Sequence, residues 1–408
     1  MISARAVGRL LVLSTPPVVA ACYVVGSTSP HGWWPWAPTV ADFEVYWRTG
    51  QLVWAGGDFY HADGLPWIYP PFAALLAAGL SVLPWGVATF AWTVIGVVAL
   101  LAVLHRLGAS GWVLSALATA SVLWVTPVHQ TLLMGQLGIL LVAAVVLDSL
   151  PGPRLLRRRL LPEGWLTGVA TAIKLTPAVV AVYHFFAGRR PVAWRALAAF
   201  VVATGLGFAA LWGPSVYYWL RLGAGDSGTN DGIIYGDNQS VLALWARLVH
   251  ESSMGGLWLS LLVLALGMVA AVGMNRSGQP RLALTLAAIT GLLASPISWT
   301  HHYVWVVVLA VVIWQERTLP SAYRALAMGY ALWMAWAPYR SLPMGGNLEF
   351  HYGLWEWLLD DAGIVWGVVL LAVSVLVSWG PWGRGRRWMQ RELVRIRLQD
   401  RAGVSVDD

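Results

Sequence analysis

The sequence predicts an all-α polytopic membrane protein, and three observations carry that prediction. Hydrophobic residues make up 58% of the 408, only 11% are charged, and the mean hydropathy is +0.65. Apolar runs recur along nearly the whole chain, many close to the roughly 20 residues that cross a bilayer core about 30 Å thick. Runs such as "GVATFAWTVIGVVALLAVL" lack the alternation that a membrane barrel strand requires. Lipid offers the backbone no hydrogen-bond partners, so helices remain.

Twelve apolar segments are expected, near residues 7–27, 70–84, 86–105, 110–127, 132–149, 164–186, 192–212, 255–274, 281–297, 300–315, 320–337 and 362–380. An even count returns both ends to one side, and Arg5, Arg9 and the basic tail assign that side to the cytoplasm. The long connections 28–69, 213–254 and 338–361 then face outward, and they hold most of the acidic residues. One segment conflicts with this scheme. "RLLRRR", residues 154–159, would lie outside, against the charge rule. Half-segments at 70–84 and within 163–187, broken at "KLTP" before Pro177, would move it inside. Twelve crossings are nevertheless the working expectation, in one membrane domain over 1–380 followed by a cytoplasmic tail over 381–408.

The net charge of +7 is almost all arginine, with Lys174 the one lysine among 26 basic residues. The tail reads as a topology signal that could also rest on anionic lipid, and nothing else supports nucleic-acid binding. Cys22 is the single cysteine, which excludes a disulfide within the chain. The "VAAC" around it resembles a lipoprotein processing site, but a chain with many later spans needs no lipid anchor, so an uncleaved first helix is preferred. No internal repeat, P-loop, Rossmann glycine pattern or HExxH is present.

Chemistry-bearing residues fall in four places. In "VADFEVYW" and its continuation, Phe43, Tyr46, Trp47, Val53 and Trp54 recur at helical spacing, as in a helix lying on the membrane surface. Glu44 and Arg48, four apart, can pair on its solvated side. Asp42 is left over, and spacing leaves two readings open: a first-turn carboxylate facing the helix dipole with Thr39 as cap, or a catalytic base. Trp33, Trp34, Trp36, Trp54 and Trp67 read first as an interface belt and second as sugar-stacking surfaces. "WIYPPF" fixes an extended entry to the next helix and offers Tyr69 to a cavity.

"SPISWTHHY", residues 295–303, is the second polar cluster at the outer face. Adjacent helical residues point about 100° apart, so one of His301 and His302 is expected to face a given cavity. Two histidines without further ligands make a weak metal site. Lys174 lies inside an apolar segment, where a charge is costly and faces a cavity or a partner; a lipid phosphate is favoured over a structural ion pair. No carboxylate is expected deep within a span, which argues against an ion-coupled transporter. Asp148 sits at a helix end, and the sequon Asn238–Ser240 reads as chance.

The order of "ADFEVYW", "YPPFAALL", "MGQLGILLVAAVVLD", "GVATAIKLTPAVVAVYHFF", "DNQSVLALW" and "SPISWTHHYVW" resembles glycosyltransferase family eighty-seven, the polyprenyl-phosphate-mannose-dependent α-1,2-mannosyltransferases of actinobacteria. The likeness runs over roughly residues 7–380, is strongest to members that extend phosphatidylinositol mannosides, and leaves the tail outside. It implies the GT-C glycosyltransferase fold, with about twelve transmembrane helices and outer-face juxtamembrane helices, in the plasma membrane with the active site toward the periplasm. It implies polyprenyl-phosphate-mannose as donor, a phosphatidylinositol mannoside or related lipoglycan as acceptor, and no cofactor or metal. Asp42 takes the role of base, with Glu44 completing the acidic motif, and His302 is preferred over His301 as the second catalytic residue. The matched motifs imply substrate-binding roles for Glu44, Tyr46, Arg48, Tyr69, Gln136, Lys174, Asn238, Gln239, Trp299 and His301. Two rival readings are an arabinofuranosyltransferase using the same type of carrier and a transporter of lipid-linked sugars.

Overall fold

The computed structural model of the chain describes residues 4–30, 36–155, 158–226, 228, 232–250, 254–389 and 392. Trp33, Trp34 and most of the basic tail lie outside the described residues. The helices of the first half are α1 (Ala4–Gly26), α2 (Ala41–Ala55), α3 (Pro71–Leu80), α4 (Trp85–Arg106), α5 (Gly111–Trp124), α6 (Thr126–Met134), α7 (Gly138–Ser149), α8 (Trp165–Ile173) and α9 (Ala178–Phe186). Those of the second half are α10 (Arg190–Ala210), α11 (Trp212–Gly223), α12 (Val241–Val249), α13 (Met254–Arg276), α14 (Pro280–Ala294), α15 (Trp305–Gln315), α16 (Ser321–Trp336) and α17 (Leu354–Trp379). Among the described residues, pairing of strand type is limited to an isolated bridge between Asn238 and Trp299.

Among the described residues, helices α4, α10, α13 and α17 are long and apolar enough to cross a membrane, and α5 with α6, bent by 74° at their junction, forms either a broken span or a re-entrant loop. Shorter apolar helices stand at Leu11–Gly26, Pro71–Leu80, Gly138–Ser149, Pro280–Ala294 and Thr300–Gln315. Several starts follow from local sequence. Proline at the first helical positions opens α3, α6, α10 and α14, where its missing N–H costs nothing. Ser240 caps α12 by accepting the Ala243 N–H at 3.2 Å. Asp148, at the end of α7, caps α8 instead of standing idle. It accepts the Gly164 N–H at 3.0 Å and the Thr167 hydroxyl at 2.7 Å.

The expected single crossing at 164–186 is corrected by the structure. The chain breaks after Ile173 into α8 and α9, nine residues each, and folds back on itself. Glu163 before α8 and Arg189 after α9 meet at 2.5 Å, so both ends of this hairpin lie on one side and Lys174 sits at its tip. A buried, half-depth hairpin is the form in which an interrupted helix survives at membrane depth. The same end of the bundle holds Arg154 and Arg159. Arg159 donates to Asp148 O at 2.7 Å, Arg106 to Leu147 O at 2.7 Å, and Arg281 to Leu107 O at 3.0 Å. Further contacts, Ser277 to Ser378 O at 3.2 Å and Trp382 to Thr318 O at 3.0 Å, bring the start of the basic tail to that end as well. The two arginine-rich segments therefore share one face of the bundle, as the charge rule requires.

Other expectations also change. Helix α17 starts at Leu354, eight residues before the predicted segment, so Asp360 and Asp361 lie within it, 0% and 1% exposed. They flank Arg247, whose Nε stands 3.3 Å from Asp360 and whose Nη2 pairs with Asp361. The hydropathy of the run excluded them; a paired arginine from α12 is what makes their burial tolerable. Thr39 does not cap α2. Its hydroxyl bonds Thr28 O at 2.5 Å, and the N-cap position is Val40, with no side-chain cap. Trp67 is buried, not interfacial, whereas Trp54 is 68% exposed; Trp36 is half-buried and bonds Thr89 at 3.0 Å. Cys22 lies half-buried inside α1.

Candidate active site

Helix α2 does not cross the bundle. Its apolar face, Phe43, Tyr46, Thr49 and Gly50, is buried at the end opposite the arginine-rich face. Phe43 meets Trp92 at 5.1 Å between ring centroids, and Tyr46 meets Tyr69 at 5.5 Å, so aromatic packing sets the roll of the helix and the direction of Asp42. Two glycines let the α6–α7 junction approach. Gly135 ends α6 with φ +70°, and a Cβ there would come within 2.5 Å of Val40 and Phe43. At Gly138, a Cβ would stand 2.9 Å from His301 O. Between them Gln136 is held against α2 on one side and the histidine turn on the other.

A cavity of about 590 Å³ opens here. Asp42, Tyr46, Tyr69, Gln136, Lys174, Trp299, His301 and His302 all line it. They come from five separate stretches of chain, and each had been singled out from the sequence. Glu44 and Arg48 do not line it; they form an exposed i,i+4 pair at 4.0 Å. Asn238 and Gln239 stand in its supporting wall. The Asn238 amide donates to Ile233 O at 2.9 Å and to Pro296 O at 3.1 Å, and its Oδ1 accepts the Ser298 N–H at 2.8 Å. Gln239 donates from its side chain to Asp360 O at 3.0 Å and accepts at its carbonyl from Tyr303 at 2.5 Å. These bonds stitch "DNQS" to "SPISW" and leave Asn238 fully buried.

The polar network fixes orientations. The Tyr46 and Tyr69 hydroxyls stand 2.9 Å apart and reach Gln136 Oε1 at 2.9 and 3.2 Å. With Oε1 turned to the phenols, the Gln136 NH2 is the group presented to Asp42. Burial raises the Asp42 carboxyl above its ordinary pKa, while the Gln136 amide and the Lys174 charge pull the other way. A raised pKa with two groups still favouring the ionised form suits a base that must take a proton.

Lys174 Nζ lies 2.6 Å from His302 Nε2 and 5.5 Å above the Tyr69 ring. On its other side, His302 Nδ1 accepts the Trp299 N–H at 3.1 Å, which places the proton of a neutral imidazole on Nε2. With Nε2–H as donor, the 2.6 Å contact is a hydrogen bond to the neutral Lys174 amine; as an ammonium, Lys174 becomes a second donor, and the two groups can then both donate to an oxyanion. The reading that one histidine faces the cavity is corrected: both do. They belong to a 3-10 turn, Thr300–Val304, with ring centroids 4.5 Å apart and planes at 82°. His301 Nε2 is buried without a partner among the described residues, and its carbonyl accepts from Thr131 at 3.0 Å.

Asp237 is a residue that sequence reasoning passed over. It lines the cavity, accepts from the Thr300 hydroxyl at 2.6 Å, and pairs with Arg340. Burial raises its pKa against the pull of Arg340. Its neighbours Asn238 and Gln239 drew attention through the sequon and the matched motif, while the carboxylate beside them had no visible partner: Arg340 is 103 residues away. Tyr235, packed edge-on to Trp299 at 5.6 Å, adds an aromatic wall.

The family described as Glycosyltransferase family 87 matches residues 67–296, which include Tyr69, Gln136 and Lys174. The polyprenol-phosphate-mannose-dependent alpha-(1-2)-phosphatidylinositol mannoside mannosyltransferase of Mycobacterium tuberculosis (strain ATCC 25618 / H37Rv) is 31% identical, with 88% of each chain covered. The protein of the same name from Mycolicibacterium smegmatis is 32% identical over 84% of each chain. A polyprenol-phosphate-mannose-dependent alpha-(1-2)-phosphatidylinositol pentamannoside mannosyltransferase from M. smegmatis is 31% identical over 93% of each. No solved structure matches. With more than half of the chain matched by the family and relatives aligned along most of its length, this protein belongs to glycosyltransferase family 87.

Proposed function

We propose that this protein transfers mannose from polyprenol-phosphate-mannose to a mannose hydroxyl of a phosphatidylinositol mannoside, forming an α-1,2 linkage. The observation that carries the reading is the convergence of Asp42, Lys174 and His302 on one cavity in a chain whose relatives bear that activity in their names. The cavity sits at the end of the bundle opposite the arginine-rich face, which under the positive-inside rule directs it to the periplasm. A lipid-linked donor keeps its tail in the bilayer, so an enzyme built of membrane helices can hold it without extracting it.

Asp42 accepts the proton of the acceptor hydroxyl as that oxygen bonds the anomeric carbon. The bond from that carbon to the phosphate oxygen breaks, and its electron pair leaves on the phosphate. Lys174, as an ammonium, and the His302 Nε2–H donate to the departing oxyanion. Attack opposite the leaving group converts a β-linked donor into an α product. Trp299 and Tyr235 offer faces on which a sugar ring can stack.

The test is reconstitution of the purified protein in liposomes with labelled polyprenol-phosphate-mannose and phosphatidylinositol mannosides. The expected product carries a new mannose that an α-1,2-mannosidase removes. Transfer from polyprenol-phosphate-arabinose alone, or movement of label across the bilayer with no new glycosidic bond, would overturn the reading.

A further inference from the structure

A second polar cavity, of about 470 Å³, lies at the other end of the bundle. Helix α14 runs between the two: Pro280 and Leu284 line this one, while Ser295, just past its end, lines the first. Fifteen residues at about 1.5 Å each put the cavities roughly 22 Å apart along that axis. None of the residues assigned to sugar transfer reaches the second cavity.

Its walls carry Arg106, Arg154, Arg159 and Arg189 against the one carboxylate of Glu163. Arg189 is taken by Glu163 at 2.5 Å, and Arg159 lies 3.9 Å from Asp148 behind the wall. Arg106 and Arg154 have no carboxylate within ion-pair distance among the described residues. Two buried polar atoms on lining residues are also unpartnered. Arg106 bonds Leu147 O and Gly152 O through its terminal nitrogens, yet its Nε has no acceptor. His184, 1% exposed, bonds Ser149 through Nε2 at 2.9 Å and leaves Nδ1 unpaired. Converging guanidinium groups with uncompensated charge and open hydrogen-bonding positions call for an anion with several oxygens. The cavity lies at the arginine-rich end of membrane helices, where basic pockets meet lipid headgroups.

We propose that this cavity binds a phosphate group, carried by an anionic membrane lipid or free in solution, at a site separate from the transfer site. The guanidinium of Arg106 supplies the buried anchor and that of Arg154 the exposed arm, with His184 closing the inner wall.

The test uses the full chain purified in detergent and titrated with dioctanoyl phosphatidylglycerol, dioctanoyl phosphatidylcholine and inorganic phosphate, read by thermophoresis. Phosphatidylglycerol is expected to bind saturably and about tenfold tighter than phosphatidylcholine. Arg154→Gln should weaken it about threefold and Arg106→Gln with Arg154→Gln more than about tenfold, with Lys174→Ala at the other cavity leaving it unchanged. Equal arginine-dependent binding of inorganic phosphate would identify free phosphate as the ligand; its absence would identify the lipid. Arg154 makes no hydrogen bond or ion pair among the described residues, so its single variant decides the matter if the double variant fails to fold. The proposal is overturned if neither phosphate source binds, if Arg154→Gln binds as tightly as the wild type, or if Lys174→Ala abolishes binding.

Discussion

At the scale of single residues, the account rests on a carboxylate and a donor pair that share one cavity. Asp42→Asn preserves the shape of the carboxyl group and removes its basicity. Transfer is expected to fall by about 10²–10⁴-fold. Because burial lifts the pKa of the folded carboxyl above that of the unfolded chain, its ionised form weakens the fold. That contribution to stability is whole below the unfolded pKa and lost as pH rises through the folded one. Thermal melts should therefore show the wild type losing ground to Asp42→Asn between acid and neutral pH; a gap that widens toward acid would contradict the direction of the shift. Lys174→Ala is expected to weaken donor binding by about tenfold or more, measured by titration with polyprenol-phosphate-mannose, because it removes one of the two groups that can donate to an oxyanion. Both residues stood out in the sequence for the same reason, a charge in apolar surroundings. Their pairings did not. Nothing in the sequence announces that Lys174 meets a histidine 128 positions away, or that Gln136 turns its amide to Asp42 because two phenols occupy its oxygen.

At the scale of elements, the site depends on close approaches that side chains would prevent. Gly135 is in the left-handed region and presses on Val40 and Phe43. Gly135→Ala should destabilise the protein by about 1–3 kcal/mol. It should also lower kcat more than Tm alone explains, since it pushes the Gln136 end of α6 away from α2. Unchanged kcat in a folded variant would show that the junction does not position Gln136. The hairpin of α8 and α9 was legible only as a break. "KLTP" marked the place, but hydropathy over 164–186 is continuous across it, and only the meeting of Glu163 with Arg189 reveals that the chain turns back. The start of α17 was missed for the opposite reason. Two adjacent aspartates end any hydropathy window, and their neutralising arginine belongs to α12.

At the scale of the whole molecule, charge divides the bundle into two ends. The acidic connections and the cavity lined by Asp42 lie at one, and the described arginines of the basic segments with the second cavity lie at the other. Apolar content made the membrane body readable, and each predicted segment has a helix at its place. The number of full crossings was not readable, because half-depth helices have the same composition as spanning ones. Buried ion pairs tie elements together within an end, as Arg247 of α12 does with Asp360 and Asp361 of α17. Arg247→Met would strand Asp360 and Asp361 inside the protein and is expected to cost about 3–5 kcal/mol, seen as a lower Tm and poor recovery of folded protein. Adding Asp360→Asn and Asp361→Asn should restore most of it; failure to do so would mean that the arginine acts through packing instead. The central claim, that a single carboxylate activates the acceptor for transfer, is tested most directly by assaying donor binding and mannose transfer side by side in purified Asp42→Asn. The account predicts donor affinity within about threefold of the wild type and transfer reduced by at least about a hundredfold. Transfer at the wild-type rate in that variant would contradict it.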